Sequence, residues 1–274
     1  MPLIGWIIVF SLLGGVLSVL AASVFLLIND KYQQKILPHT VSFAIGALLG
    51  AALLALLPHA MTISNDVDLH DLGLTLLIGL LSFFLLEKMV LWRHCHSSHC
   101  EVHSACEITS SEKTSNESGG SHQHEKNASG SLIIIGDAVH NLVDGVLIAA
   151  AFMTDIDLGI VTALAVATHE IPQEIGDFAI LLNNGYSRGR ALFFNILASL
   201  ATVVGAVITY YSLQSMQGAL PYILAIAASS FIYIAVADLI PGLHKKTELR
   251  ETLQQITLIA FGVTTIYWAH STLH

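Results

Sequence analysis

Long apolar runs separated by short polar breaks dominate this chain. Eight runs of about 20 residues, the length that spans a bilayer as a helix, fall at about 4–28, 39–62, 70–92, 131–154, 157–183, 190–213, 220–241 and 253–272. The first ends at Asn29, Asp30 and Lys31. It lacks the basic start and small-residue cleavage pattern of a signal peptide, so it reads as the first membrane helix. Pro58, Pro172 and Pro241 lie within or at the edges of runs, which membrane helices tolerate when neighbours satisfy the freed backbone groups. The pattern predicts an all-α integral membrane protein with eight transmembrane helices. It divides into helices 1–3 over 1–93, a polar loop over 94–129 and helices 4–8 over 130–274, together one membrane domain.

Composition agrees with the pattern. Of 274 residues 54% are hydrophobic and 11% charged, against about 25% charged in soluble domains; the mean hydropathy is +0.70. The net charge of −9 gives no pointer to a nucleic-acid partner, because the placement of the charges matters more than their sum. All 11 Lys and Arg residues fall at or after the first, third, fifth and seventh runs. The opposite loops hold Asp66, Asp68, Asp71, Asp155 and Asp157. The positive-inside rule therefore places both termini outside. A cell (inner) membrane is the expected location, with the lipid bilayer as surroundings and a homodimer open.

The 94–129 loop departs from everything around it. His94, Cys95, His96, His99, Cys100, His103 and Cys106 precede a Ser/Glu/Gly-rich tract with His122 and His124. Such a composition cannot bury a core and is expected to be disordered. One reading is a solvated linker with incidental histidines. The other is an exchangeable metal-binding tract, since clustered Cys and His suit zinc. All three cysteines lie there without a CxxC pair, which argues against both a disulfide framework and a rigid structural zinc site.

Ionisable groups inside the apolar runs carry the chemistry, because such residues are costly at membrane depth and mark ion or substrate pathways. His140 and Asp144 stand at i, i+4 on the fourth run with Asn141 beside them, and His169 and Gln173 repeat that spacing on the fifth, next to Glu170. Residues so spaced share a helix face. At about 1.5 Å per residue, both histidines lie near the midplane. Imidazole, carboxylate and amide oxygens converging there are ligands for a divalent transition metal. A purely structural network would leave the carboxylates of Asp137, Asp144, Glu170, Glu174 and Asp177 repelling one another without a cation. His59 taken by itself reads equally well as a helix-packing residue. Pro172 removes an N–H and frees the Thr168 carbonyl. Gly136, Gly145 and Gly176 flank the site and allow close helix approach.

The pair HNLVDG and HEIPQE, on the fourth and fifth of eight runs, resembles the ZIP (Zrt/Irt-like) metal transporters, closest to the subfamily with HExPHE on its fifth span. The span order, outside termini, His-rich loop and Leu57-Pro58-His59 fit as well. The resemblance implies two inverted three-helix repeats around a central helix pair. It implies a transport metal at His140, Asp144, His169 and Gln173, with Asn141 and Glu170 adjacent. Gln173 stands where that subfamily has His, and an amide oxygen is a harder, weaker ligand. The implied activity is movement of Zn²⁺ into the cytoplasm, with Zn²⁺ as substrate rather than cofactor; Fe²⁺, Mn²⁺ and Cd²⁺ stay open. No nucleotide-binding motif is present. Two other functions compete. An intramembrane zinc hydrolase would use His169-Glu170-Ile171-Pro172-Gln173 as a degenerate HExxH, but it lacks the second His and Pro172 disturbs its helix. A divalent cation effluxer would share every feature except direction.

Overall fold

The computed structural model describes residues 1–63, 67–94, 121–244 and 248–273. Among them run eight long helices: α1 Leu3–Phe25, α2 30–62, α3 Leu69–His94, α4 Ser121–Thr154, α5 Ile156–Asn183, α6 Arg188–Leu213, α7 Gln217–Leu243 and α8 Leu249–Leu273. Six of the eight are long and apolar enough to cross a membrane. The other two, α5 and α8, are more polar, and in α5 the reason is visible: His169, Glu170, Gln173, Glu174 and Asp177 occupy one helix. The helical backbone of α4 starts at Ser121, inside the stretch assigned above to the loop. Gln, Glu, Lys and Ala in 121–130 are good helix formers, and helix can extend from an apolar span into them. Cys95, Cys100, Cys106 and the histidines between them lie outside the described residues.

Short caps join the central helices. Asp155 accepts from the backbone N–H groups of Asp157 and Leu158 at 2.8 and 3.2 Å, which starts α5 directly after α4. At its other end α5 closes with Gly185 at φ +87°. The Tyr186 N–H reaches the Leu181 carbonyl and the Gly185 N–H reaches Leu182. This is the paired-bond ending that a residue in the left-handed region makes possible. Ser187 then accepts from the Arg190 N–H to begin α6.

Packing places α4 and α5 at the centre. α4 lies against α5, α6 and α7; α5 lies against α1 and α2; α2 packs on α8 and α3 on α7, while α1 meets α6 and α2 meets α7. These contacts map onto themselves when α1, α2 and α3 are exchanged with α6, α7 and α8, and α4 with α5. The α4–α6 contact is a main-chain one. A Cβ at Gly145 would overlap the Thr202 carbonyl, and one at Gly205 would overlap the Leu142 carbonyl, so only glycine lets these helices touch through their main chains. Gly176 differs: a Cβ there meets nothing, so close approach is not its role. The main core joins Leu147, Ile148, Leu158, Val161, Val166 and Phe231 in the middle of the bundle. By contrast, Leu74, Leu77, Ile78, Leu81, Phe84 and Leu85 of α3 are exposed, as befits a helix facing lipid.

Proline acts differently in different helices. α2 widens into π turns over Ala51–Leu56, and α7 over Ile234–Leu239, in each case just before Pro58 or Pro241. A missing N–H there interrupts the regular ladder, and an inserted residue accommodates it. α5 stays α-helical through Pro172.

Candidate metal centre

Antiparallel α4 and α5 bring four side chains to one point. His140 and Asp144 come from α4 and His169 and Glu170 from α5; one donor atom from each lies within 4.8 Å of all the others. The Nε2 atoms of His140 and His169 are 3.4 Å apart. His140 Nε2 is 3.4 Å from Glu170 Oε1 and 3.8 Å from Asp144 Oδ2. His169 Nε2 is 3.2 Å from Asp144 Oδ2 and 3.7 Å from Glu170 Oε1. A tetrahedral zinc with bonds of about 2.0–2.2 Å places neighbouring donors roughly 3.3–3.6 Å apart. Five edges of the figure made by these atoms thus span the zinc value, with two nitrogens and two oxygens at the corners.

Local structure aims these groups. His169 Nδ1 lies 3.1 Å from the Ala165 carbonyl one turn back. That bond holds the proton on Nδ1 and turns the Nε2 lone pair into the centre, the usual way a ligating histidine is oriented. The Phe231 ring of α7 meets the His169 ring edge-on at 6.1 Å and restricts its rotation. His140 is the most open of the four, with 25% of its side chain exposed, while the other three side chains are 1% exposed.

The two carboxylates face only the two imidazoles, at 3.2–3.8 Å. Neither oxygen of Asp144 and neither oxygen of Glu170 completes a hydrogen bond. Buried carboxylates in that condition are costly unless paired or bound to metal. Every Lys and Arg of the chain lies near a span end or in a loop, so the two histidines are the nearest positive candidates. A divalent ion would balance Asp144 and Glu170 together.

The other sequence-predicted residues take different places. Asn141 is fully buried beside the tetrad, but both ends of its amide are engaged. Its Nδ2 donates to Asp137 Oδ1 at 2.8 Å and the Asp137 carbonyl at 3.2 Å, and its Oδ1 accepts from Thr202 Oγ1 at 2.7 Å. Gln173 is half-buried, one turn beyond His169. His59 meets the ring of His270 on α8 at 5.2 Å and bonds the Ala55 carbonyl through Nδ1. Asp238 of α7 lies near Asp177 and Tyr233, and the Tyr233 hydroxyl donates to Glu87 of α3. Sequence reasoning did not single out Thr202 or Asn195, both buried polar residues of α6. Their only signal was a polar residue inside an otherwise apolar span.

Known proteins resemble this chain in sequence across most of their length. The ZIP zinc transporter family model matches residues 3–268. The chain is 31% identical to zinc transporter ZIP13 of Gallus gallus over 274 aligned residues, covering 86% of this chain and 75% of that protein. Zinc transporter ZIP13 of Danio rerio is 32% identical over 81% of this chain and 73% of its own. Zinc transporter YKE4 of Saccharomyces cerevisiae is 30% identical over 85% and 70%. A match of this extent, on a helical bundle with His140, Asp144, His169 and Glu170 drawn together at its centre, means that the chain belongs to the ZIP zinc transporter family.

Proposed function

We propose that this protein carries Zn²⁺ across a membrane into the cytoplasm, through the tetrad of His140, Asp144, His169 and Glu170. The observation that carries this reading is the tetrad itself: two imidazole nitrogens and two carboxylate oxygens at zinc-like spacing, on the two central helices of a membrane bundle. The ion enters past half-open His140. Inward direction rests on the family relationship. The orientation, with both termini outside, rests on the confinement of Lys and Arg to one set of loops and span ends. Two inverted three-helix repeats about α4 and α5 are the proposed layout, since exchanging α1–α3 with α6–α8 preserves the contacts. Fe²⁺, Mn²⁺ and Cd²⁺ are proposed competitors for the same donors.

Chemistry follows from the ligand set. Two carboxylates neutralise one divalent ion, so the loaded centre carries no net charge at membrane depth, and two neutral imidazoles complete the shell without adding any. Hydrolysis is disfavoured by geometry. Glu170 Oε1 sits among the donor atoms, whereas a hydrolase of the HExxH type keeps its Glu off the metal as a general base.

The test is zinc uptake into proteoliposomes of purified protein. His140→Ala and His169→Ala each remove a nitrogen donor, and losing even an outer partner of a metal site costs roughly 10–100-fold. Uptake should fall by at least that factor at matched insertion. Normal uptake by either variant would refute the site, and peptide hydrolysis without flux would refute transport.

A further inference from the structure

We propose that a groove between α2 and α8, at the ends that carry Lys and Arg, holds the phosphate head of an anionic phospholipid. Arg250 of α8 is the main anchor, with His39 of α2 and Gln254 of α8 as further donors. The site uses none of the tetrad residues and does not depend on which ion is transported.

The groove follows from where α2 and α8 can touch. A Cβ at Gly46 would overlap the Ile259 carbonyl, and one at Gly262 would overlap the Phe43 carbonyl. Small residues thus bring the two main chains into contact there. One to two turns nearer the start of each helix, larger side chains take over. Two hollows open between the helices at that level, both lined by His39, Gln254 and Leu258. The narrower one, about 30 Å³, has Ser42 and Glu251 in its wall. The wider one, about 430 Å³, is completed by Arg250, Leu253 and Thr257.

Charge and depth select the occupant. Among the described residues the wider hollow has no carboxylate in its wall. Arg250 is exposed, and the ion pairs among the described residues all belong to His140 and His169, so its guanidinium is uncommitted. The fork of an arginine matches a phosphate, which accepts two parallel bonds. His39 Nδ1 is tied to the Lys35 carbonyl at 2.6 Å, which leaves Nε2 for the groove and sets Lys35 one turn from it. Thr257 gives its proton to the Leu253 carbonyl at 2.7 Å, so the donors are Arg250, His39 and Gln254. His39 and Leu253 each stand where an apolar run begins, at the level of lipid headgroups. Exposed Tyr32 is an aromatic of the kind found at that level. Beyond it, Leu253, Ile256 and Phe261 of α8 are exposed and give acyl chains an apolar surface. Basic residues at span ends attract anionic headgroups, whereas the choline of a zwitterionic lipid would bring a cation against Arg250 and Lys35. A phosphate joining Arg250 to His39 would tie α8 to α2 where their main chains part.

The test is native mass spectrometry of the full-length protein in detergent, titrated with phosphatidylglycerol or with phosphatidylcholine of the same chains. A cation beside a span strengthens binding of anionic lipid about fivefold. Wild type should therefore hold its first phosphatidylglycerol at least about fivefold more tightly than phosphatidylcholine. Arg250→Gln should weaken that phosphatidylglycerol by about the same factor and leave phosphatidylcholine unchanged, and His39→Gln should weaken it as well. Thr257→Trp keeps every charge but fills the hollow, and it should also expel the lipid. Arg188→Gln, which removes an exposed cation at the start of α6, should change nothing. Equal affinity of wild type for the two lipids would overturn the proposal, as would unchanged phosphatidylglycerol binding in both Arg250→Gln and Thr257→Trp. An equal loss in Arg188→Gln would replace the groove by diffuse surface charge. Displacement of the lipid by inorganic phosphate would assign the groove to a free anion and overturn the lipid reading.

Discussion

Two faces of α4 solve opposite problems within a few residues. Toward α5 the helix presents His140 and Asp144, whose donor atoms stand 3.2–3.4 Å from their neighbours on α5, a spacing that an ion between them would bridge. Toward α6 it presents Gly145 and the Leu142 carbonyl, in main-chain contact with Thr202 and Gly205. The dry face fixes where α4 sits, and the wet face can then hold donors apart without collapsing. Asn141 joins the two, one amide tying Asp137 on its own helix to Thr202 across the α6 contact. A rigid seam on one side is thus what allows an uncompensated one on the other.

Breaking the dry face should have the largest effect. Gly145→Ala places a methyl group on the Thr202 carbonyl, and overpacking of this kind costs roughly 1–3 kcal/mol even when side chains, rather than backbone, can yield. The thermal midpoint in detergent and the yield of monodisperse protein should both drop sharply. Gly176→Ala is the matching control on α5, where the added methyl meets nothing and alanine gains about 0.5–1 kcal/mol of helix preference over glycine. Its midpoint should hold or rise. Equal behaviour of the two variants would mean that the α4–α6 contact is not what fixes the fold.

The sequence made some of this legible and hid the rest for physical reasons. Apolar runs marked the eight helices because bilayer thickness imposes their length. His140, Asp144 and His169 stood out because charge at that depth demands an explanation. The family resemblance put Glu170 at a position adjacent to the metal, and i, i+4 spacing paired His169 with Gln173 along one face. Between the helices, the Glu170 side chain one position on approaches from the flank, 3.4 Å from His140 Nε2. Thr202 was invisible because a lone threonine in an apolar span looks the same whether it bonds its own helix or another. The role of Gly145 depends on which helix lies opposite, and periodicity does not reveal that.

On the wet face, Asp144→Asn removes charge while keeping size. The centre would then hold one carboxylate against a divalent ion, and zinc flux should fall about 10–100-fold in a protein that still inserts and melts near the wild-type midpoint. Flux within twofold of wild type would mean that Asp144 balances the histidines and not an ion.

Thr202→Val probes the link between the faces. It deletes the hydroxyl donor to Asn141 at constant shape, and one hydrogen bond of this kind contributes about 0.5–1.5 kcal/mol. Zinc affinity measured by competition with a fluorescent chelator should shift by roughly two- to tenfold, with a small fall in midpoint. A shift as large as that of Asp144→Asn would place Asn141 among the ligands, and no shift at all would make its hydrogen bonds purely structural.

The smallest expected change concerns Gln173, half-buried one turn from His169. With four donors already gathered from His140, Asp144, His169 and Glu170, an amide oxygen from Gln173 would be a fifth, weak and hard, of the kind Mn²⁺ accepts more readily than Zn²⁺. Gln173→His replaces it with imidazole, which favours Zn²⁺. If Gln173 reaches the ion during transport, the Zn²⁺/Mn²⁺ preference in uptake competition should rise several-fold, while turnover slows because a tighter centre releases its ion later. An unchanged preference with unchanged turnover would mean that Gln173 faces away from the ion throughout the cycle and that the four-donor centre sets selectivity alone.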